Sequence, residues 1–292
     1  MADAFAPKRG ALQRAWLEAE TIHRILAGLR RRKRLILRRL KGRSDWTFEQ
    51  IVKNAPSIVE YAGNRFDLAH PRCSPQIGAG IVEGTYERHE IDLMRRYIDP
   101  RDKVLELGSC MGVTSLFLAD LVGEENHLVI EADPLNLELS EHMFDLNGTK
   151  VRSRFGFLVS GDDEREFVQF SSNENPSSSS SYAREGTART FDVPTIRFEE
   201  LLKESGATAI VLDIEGGEVE LFYKAQDLGQ LRLVIMETHP WVTGEDAMAA
   251  MLASLKKRGF ATKCSTHGGR YLVLRREDND LRSAQRARID VE

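Results

Sequence analysis

The run Val104–Asp120 reads VLELGSCMGVTSLFLAD, with Glu106 near the end of a branched apolar stretch and Gly108, Ser109 and Gly112 just beyond it. A strand that only packs a core needs neither a carboxylate at its tip nor two glycines behind it. The glycines permit a tight turn and a close approach of ligand to backbone. Ser109 offers a hydroxyl and a backbone N–H. Glu131 ends the next apolar run, 23 residues after Gly108. An acidic group at that distance can accept hydrogen bonds from two ribose hydroxyls. The pattern fits a nucleoside-bearing cofactor. It does not fit a dinucleotide, because Gly-Ser-Cys-Met-Gly lacks the middle glycine that admits a pyrophosphate, and no Lys follows to complete a phosphate-binding loop.

A second group follows later. Asp213 and Glu215 come just after the apolar run AIVL, and Glu237 and His239 close LRLVIMETH. A carboxylate or imidazole held against a hydroxyl can take its proton. Asp213 and His239 are candidate bases, with Glu237 orienting the imidazole. Asp213, Glu237 and His239 also offer oxygen and nitrogen ligands for a divalent ion, but their spacing sets no ligand geometry and no metal is assigned. Simpler roles stay open. Asp213 and Glu215 would suit the positive end of a following helix. Glu237 would serve as a buried partner, and His239 before Pro240 would pack a loop. Cys110 reads as a small filler in the glycine turn. His89, His127, His142 and His267 have no partner at an informative spacing.

These residues need elements to hold them. YERHEIDLMRRYI suits a helix stopped by Pro100, KVLEL a strand, VTSLFLADLV a helix and HLVIEA a strand. PLNLELSEHMFDLNG is a helix with Pro134 at its start and Gly148 at its end. FGFLVSG and EFVQF read as strands. TIRFEELLKES is a helix, AIVLDI a strand, EVELFYKAQ a helix, LRLVIMETH a strand, GEDAMAAMLASLKKRG a helix and YLVLRR a last strand. Strands separated by helices imply an α/β fold with a mostly parallel sheet covered on both faces. In such a sheet ligands bind beyond the carboxyl ends of the strands. The polar stretch 171–187, with Ser177–Ser181 at its centre, suits either a solvated linker or a flap over the substrate.

The bulk numbers set the frame. At 292 residues and 41% hydrophobic, the chain can bury a substantial core. No apolar stretch approaches the ~20 residues of a spanning helix, and no signal-peptide pattern opens the chain. Cys73, Cys110 and Cys264 are odd in number and far apart, which favours a reducing, cytoplasmic setting. The net charge of −4 hides an asymmetry. Residues 1–43 hold 13 Lys/Arg against 3 Asp/Glu, while the rest holds 28 against 42. Residues 11–41 read as a basic helix with one apolar stripe, Trp16, Ile22, Leu26 and Leu29, and residues 45–80 as a short helix plus irregular linker. The stripe can pack on the body, pair with a second copy in a homo-oligomer, or lie in a membrane interface as a peripheral contact.

Glu-x-Gly-x-x-x-Gly resembles motif I of methyltransferases that use S-adenosyl-L-methionine, whose ammonium group can face an acidic tip such as Glu106. The succession EGTYERHE, VLELGSCMG, VIEADPLNLELSEHMFDLNG, TIRFEELL, VLDIEGGEVELF and IMETHP resembles the FkbM family of methyltransferases over roughly residues 80–275. Gly84, Tyr86 and Glu87 match its Gly-x-Tyr-Glu, and Glu131-Ala132-Asp133-Pro134 stands for its Glu-Pro-x-Pro. Asp213-Ile214-Glu215-Gly216 and Glu237-Thr238-His239-Pro240 match the later motifs, with Val211 where the family often has Lys and Glu106 where it often has Asp. The resemblance implies a Rossmann-like class I methyltransferase sheet with helices on both faces. It implies O-methylation of a sugar, glycolipid or polyketide-like hydroxyl. It brings Tyr86 and Glu87 toward cofactor or substrate.

The expected organisation is a basic helical extension and linker over 1–75, the methyltransferase domain over 76–280 and a polar tail over 281–292. Two other functions stay open. One is nucleic-acid methylation, motivated by the basic arm. Base-modifying enzymes often carry Asn/Asp-Pro-Pro-Tyr/Phe after the fourth strand, and this chain has Asp-Ile-Glu-Gly-Gly-Glu there. The other is a non-catalytic binding module of the same fold, motivated by Val211.

Overall fold

A computed structural model describes residues 46–172 and 189–277. The helix expected over 11–41, the serine run Ser177–Ser181 and the tail 281–292 lie outside the described residues. Phe48–Lys53 (α1) starts at a capping box formed by Thr47 and Gln50. Ile58–Tyr61 (β1) and Asn64–Asp67 (β2) then pair as an antiparallel hairpin, where the sequence suggested an irregular linker. Only Asn64 and Phe66 of β2 turn inward, so no apolar run marks the strand. Phe66 is fully buried in the main core, and Asn64 Nδ2 donates to Asp120 at 2.9 Å.

The remaining helices are Pro75–Glu83 (α2), Arg88–Tyr97 (α3), Val113–Val122 (α4), Pro134–Asn147 (α5), Phe198–Ser205 (α6), Gly217–Lys224 (α7), Pro240–Thr243 (α8) and Glu245–Lys257 (α9). The strands are Val104–Leu107 (β3), His127–Glu131 (β4), Arg152–Phe155 (β5), Phe157–Val159 (β6), Phe167–Ser172 (β7), Arg189–Arg197 (β8), Ala209–Leu212 (β9), Leu233–Glu237 (β10), Phe260–Thr266 (β11) and Tyr271–Arg276 (β12). The central sheet has seven strands in the order β11-β12-β10-β9-β3-β4-β5. Its strands run parallel except β12, which lies antiparallel between β10 and β11. This is the Rossmann-like methyltransferase arrangement expected from the motifs.

Strand alternation sorts the core. Val104, Val211 and Ile235 face one side with residues of α2, α3, α4 and α5. Leu105, Leu107, Ile210, Leu212, Val234 and Met236 face the other with residues of α6, α7 and α9. Both faces are covered, which is why β3, β9 and β10 are buried at every position. The two edge strands escaped the sequence reading. β5 reads Arg-Ser-Arg-Phe and β11 is mostly half-exposed, because an edge strand needs little apolar surface. The helix expected from Thr195 starts instead at Phe198. Thr195–Arg197 pair with Phe157–Val159 in a three-stranded side sheet, β6-β8-β7.

The chain leaves β3 outward to β4 and β5 and then returns to the opposite side of β3 as β9. That reversal opens a crevice at the carboxyl ends of β3 and β9. Gly108 sits in it with φ +86°, and a Cβ there would stand 2.4 Å from the carbonyl oxygen of Asp213. A Cβ at Gly112 would stand 2.8 Å from the Phe144 ring. The Cβ direction of both glycines is therefore filled by backbone and core, while Gly108 also borders the crevice. Gly108→Ala is expected to destabilise the protein by about 1–3 kcal/mol, read as a lower Tm; an unchanged Tm contradicts the contact.

Candidate active site

A cleft opens where the crevice lies. Its floor includes Leu107 and Gly108, and Phe157, Leu158 and Phe170 from the side sheet form one wall. Carboxylates dominate its polar lining: Glu87, Glu90, Glu131, Asp213, Glu215 and Glu237 all reach it, with Glu106 beneath. No Lys or Arg is among the described residues that line it. Three residues there hold left-handed backbone without being glycine, Glu87 at φ 46°, Cys110 at φ 44° and Glu215 at φ 51°. Such strain persists only where surrounding structure imposes it, and it concentrates at functional sites.

Glu131 occupies the tip of β4 as the sequence predicts. Its Oε2 accepts from the backbone N–H groups of Ser109 at 2.8 Å and Cys110 at 3.1 Å, and its Oε1 from Asp133 N–H at 2.9 Å. The carboxylate thus clamps the glycine turn to the start of α5. Oε1 keeps a second acceptor position, and the residue lines the cleft, so a ribose hydroxyl can still be bound there. Burial raises its pKa, and the backbone donors oppose the rise. Ser109 is different from expectation. Its N–H faces Glu131, its hydroxyl lies between Glu131 and Ser140, and it is fully buried.

Glu106 is also committed within the protein. Oε1 accepts from Thr114 at 2.5 Å, and Oε2 lies 2.8 Å from His127 Nε2. Val104 pairs with His127 across β3 and β4, so Glu106 is its diagonal neighbour on the same face. His127 therefore does have a partner. So does His142, at 3.1 Å from Asp67, and His89 stacks on His267 with ring centroids 4.0 Å apart. Tyr86 lines the cleft and donates to Cys110 Sγ at 3.2 Å, while its carbonyl accepts from Tyr61 at 2.6 Å. Burial pushes the Cys110 thiol well up, in keeping with a filler.

Beyond β9 and β10, Asp213, Glu215, Glu237 and His239 come together. His239 Nε2 lies 3.4 Å from Asp213 Oδ1 and 3.7 Å from both Glu215 Oε1 and Glu237 Oε1. Neither Asp213 nor Glu215 caps α7, whose N-cap is Gly216 with no side-chain bond. The sequence reading made Glu237 the residue that orients His239, and the structure corrects this. Glu237 is taken by Arg270, whose Nε donates to Oε1 at 2.6 Å. The orienting group is Glu218, fully buried, whose Oε1 lies 3.2 Å from Nδ1 and 2.9 Å from the backbone nitrogen of His239. Glu218 went unnoticed because it opens an apolar helix, where an acid is explained by the helix dipole alone. The second glutamate of Glu215-Gly216-Gly217-Glu218 was the available signal.

The density of acids shifts their titration. Burial pushes Glu90 up to about 8, with Glu237 adding to the rise. Asp213 is raised by withdrawal from bulk water and then by Glu237 and Glu215, although 40% of its side chain remains exposed. Glu87 is raised by burial and by Glu90. A cleft of this kind repels phosphates and favours cations. S-adenosyl-L-methionine carries an ammonium, a sulfonium and no phosphate, so the residues present fit it. Glu131 would hold its ribose, and the acid lining would face its positive groups.

Comparison with known proteins agrees. A model of the family described as "Methyltransferase FkbM domain" matches residues 106–261. Among curated proteins none matches the chain. Solved structures resemble it more loosely. A ribosomal protein L11 methylase from Lactobacillus delbrueckii subsp. bulgaricus is 12% identical at TM-score 0.38, covering 65% of this chain and 80% of that one. Aeropyrum pernix fibrillarin with natively bound S-adenosyl-L-methionine is 12% identical at TM-score 0.39, covering 77% and 85%. An O-methyltransferase from Bacillus cereus in complex with SAH is 10% identical at TM-score 0.36, covering 60% and 74%. Such superpositions are loose, and the fold stands on the strand order above. The family match spans more than half of the sequence and includes Glu131, Asp213, Glu237 and His239, and the chain belongs to the FkbM methyltransferase domain family.

Proposed function

We propose that this methyltransferase acts on a hydroxyl of a sugar, glycolipid or polyketide-like molecule. The observation that carries the reading is the Asp213 carboxylate, which lines the cleft 3.4 Å from the buried His239, with Trp241 62% exposed against that imidazole. The Trp241 ring meets the His239 ring edge-on, centroids 5.1 Å apart. The Arg270 guanidinium stands over the Trp241 ring 5.7 Å from its centroid, and the exposed remainder of the ring is suited to the apolar face of a sugar. When bound, S-adenosyl-L-methionine supplies an electrophilic methyl group. Everything else falls to the protein. Glu131 would hold the ribose, and the acid lining would face the cofactor's positive groups. Asp213, open to the cleft, takes the hydroxyl proton, and Glu218 fixes the His239 imidazole that lies 3.4 Å from it. Bringing the oxygen in line with the methyl group supplies most of the remaining acceleration.

Nucleic acid fits this site poorly, since its phosphates would meet carboxylates with no Lys or Arg among the described lining residues. The test is mass spectrometry of cell extracts incubated with the full-length protein and methyl-labelled cofactor. The expected result is a gain of one methyl on the oxygen of a hydroxylated product. Label confined to nitrogen or to nucleic acid overturns the reading. With an acceptor in hand, Trp241→Ala is expected to raise its KM about 2–10-fold, the value of one aromatic contact, with cofactor affinity unchanged. An unchanged KM removes Trp241 from the acceptor site.

A further inference from the structure

His239 Nε2 is fully buried and has no hydrogen-bond partner, although three carboxylates surround it. The ring's other nitrogen explains why this matters. Glu218 already accepts the backbone N–H groups of Gly216 and His239, so its oxygens are acceptors and Nδ1 carries the proton. In the neutral ring the lone pair of Nε2 then points at the oxygens of Asp213, Glu215 and Glu237. Lone pairs facing lone pairs across so short a gap are relieved by a cation or a proton between them.

We infer that Asp213, Glu215 and His239 form a binding site for a first-row divalent cation, which would hold and acidify the acceptor hydroxyl. One ligand atom from each of the three lies within 4.8 Å of the others. Ligands about 2.1 Å from an ion at tetrahedral or octahedral angles stand about 3.0–3.4 Å apart. The His239 nitrogen stands near that range from both carboxylates, at 3.4 and 3.7 Å, and the two carboxylates lie within 4.8 Å of each other. Glu237 completes the cluster without joining the ligands, because Arg270 occupies its near oxygen and cancels its charge. Asp213 and Glu215 are then the two carboxylate ligands. A histidine whose far nitrogen donates to a carboxylate is the usual supporting arrangement of a metal ligand. One nitrogen and two oxygens suit Mn2+ or Zn2+ better than Mg2+, which prefers oxygen alone. The open side faces the cleft, where the exposed edge of Asp213 leaves room for a hydroxyl oxygen on the ion. The O–H bond breaks with its proton passing to the oxygen of Asp213 that is not on the ion.

The inference rests on the methyltransferase reading for its role but not for its existence. Full-length protein dialysed against EDTA is titrated with Mn2+ alone, and free Mn2+ is followed by electron paramagnetic resonance. One Mn2+ is expected to leave solution per chain. Asp213→Asn and Glu215→Gln are expected to weaken uptake at least about 10-fold, and Glu218→Gln, which touches no ion, about 10–100-fold through the imidazole. Binding of S-adenosylhomocysteine by each variant reports that it is folded. No uptake by wild-type protein overturns the inference, and so does uptake unchanged in all three variants. If S-adenosylhomocysteine binds while Mn2+ does not, the cation fails and the methyltransferase reading stands. If Mn2+ binds with the expected variant pattern but S-adenosylhomocysteine does not, the site stands and the proposed function fails.

Discussion

Replacing Asp213 by Asn, or His239 by Ala, is expected to lower turnover about 100- to 10,000-fold, the range of a positioned acid–base group. Cofactor affinity should change little. The two residues end adjacent strands, and their side chains meet at 3.4 Å on the cleft side of the sheet. Asn keeps the shape of Asp213 but cannot take a proton. Ala at His239 leaves Glu218 with one fewer donor and Asp213 without its neighbour. Steady-state kinetics with the identified acceptor, paired with calorimetry for the cofactor, separates the two effects. Near-normal turnover in either variant would remove that residue from the chemistry. A parallel fall in cofactor affinity would mean that the pair supports the cofactor rather than the acceptor.

Glu131→Ala should weaken S-adenosyl-L-methionine binding about 10- to 150-fold, corresponding to loss of roughly 1.5–3 kcal/mol for a hydrogen bond to a charged group. Two losses combine. The ribose loses its acceptor, and the N–H groups of Ser109, Cys110 and Asp133 lose the carboxylate that holds the turn. Glu131→Gln separates them. Its amide keeps one oxygen for the turn but places donors where the others would clash, so it should fall between wild type and Ala. Unchanged affinity in folded Glu131→Ala would place the ribose elsewhere.

Much of this was legible in the sequence, and the limits have physical causes. β3, β9 and β10 announced themselves because strands covered on both faces are nearly continuous apolar runs, broken here only by Glu106 and Glu237. The convergence of Asp213 and His239 followed from strand ends pointing to one side of a parallel sheet. What stayed hidden depends on register and on neighbours far along the chain. The Glu106–His127 contact requires knowing that Val104 pairs with His127. The role of Gly108 requires the path of the chain after β9, which lays the Asp213 carbonyl against it. Arg270 reaches Glu237 because β12 lies antiparallel beside β10, and nothing in the local composition of either strand says so. The β1–β2 hairpin shows only two inward residues, too few for a period to emerge.

The acid-lined cleft of this family member is expected to take S-adenosyl-L-methionine against Glu131. Isothermal titration of the full-length protein with S-adenosylhomocysteine, beside the Glu131→Ala variant, tests it most directly. The expected result is saturable binding at one site per chain, weakened at least about 10-fold by the substitution. A folded wild-type protein that takes up no ligand, or a variant that binds as tightly as wild type, would contradict it.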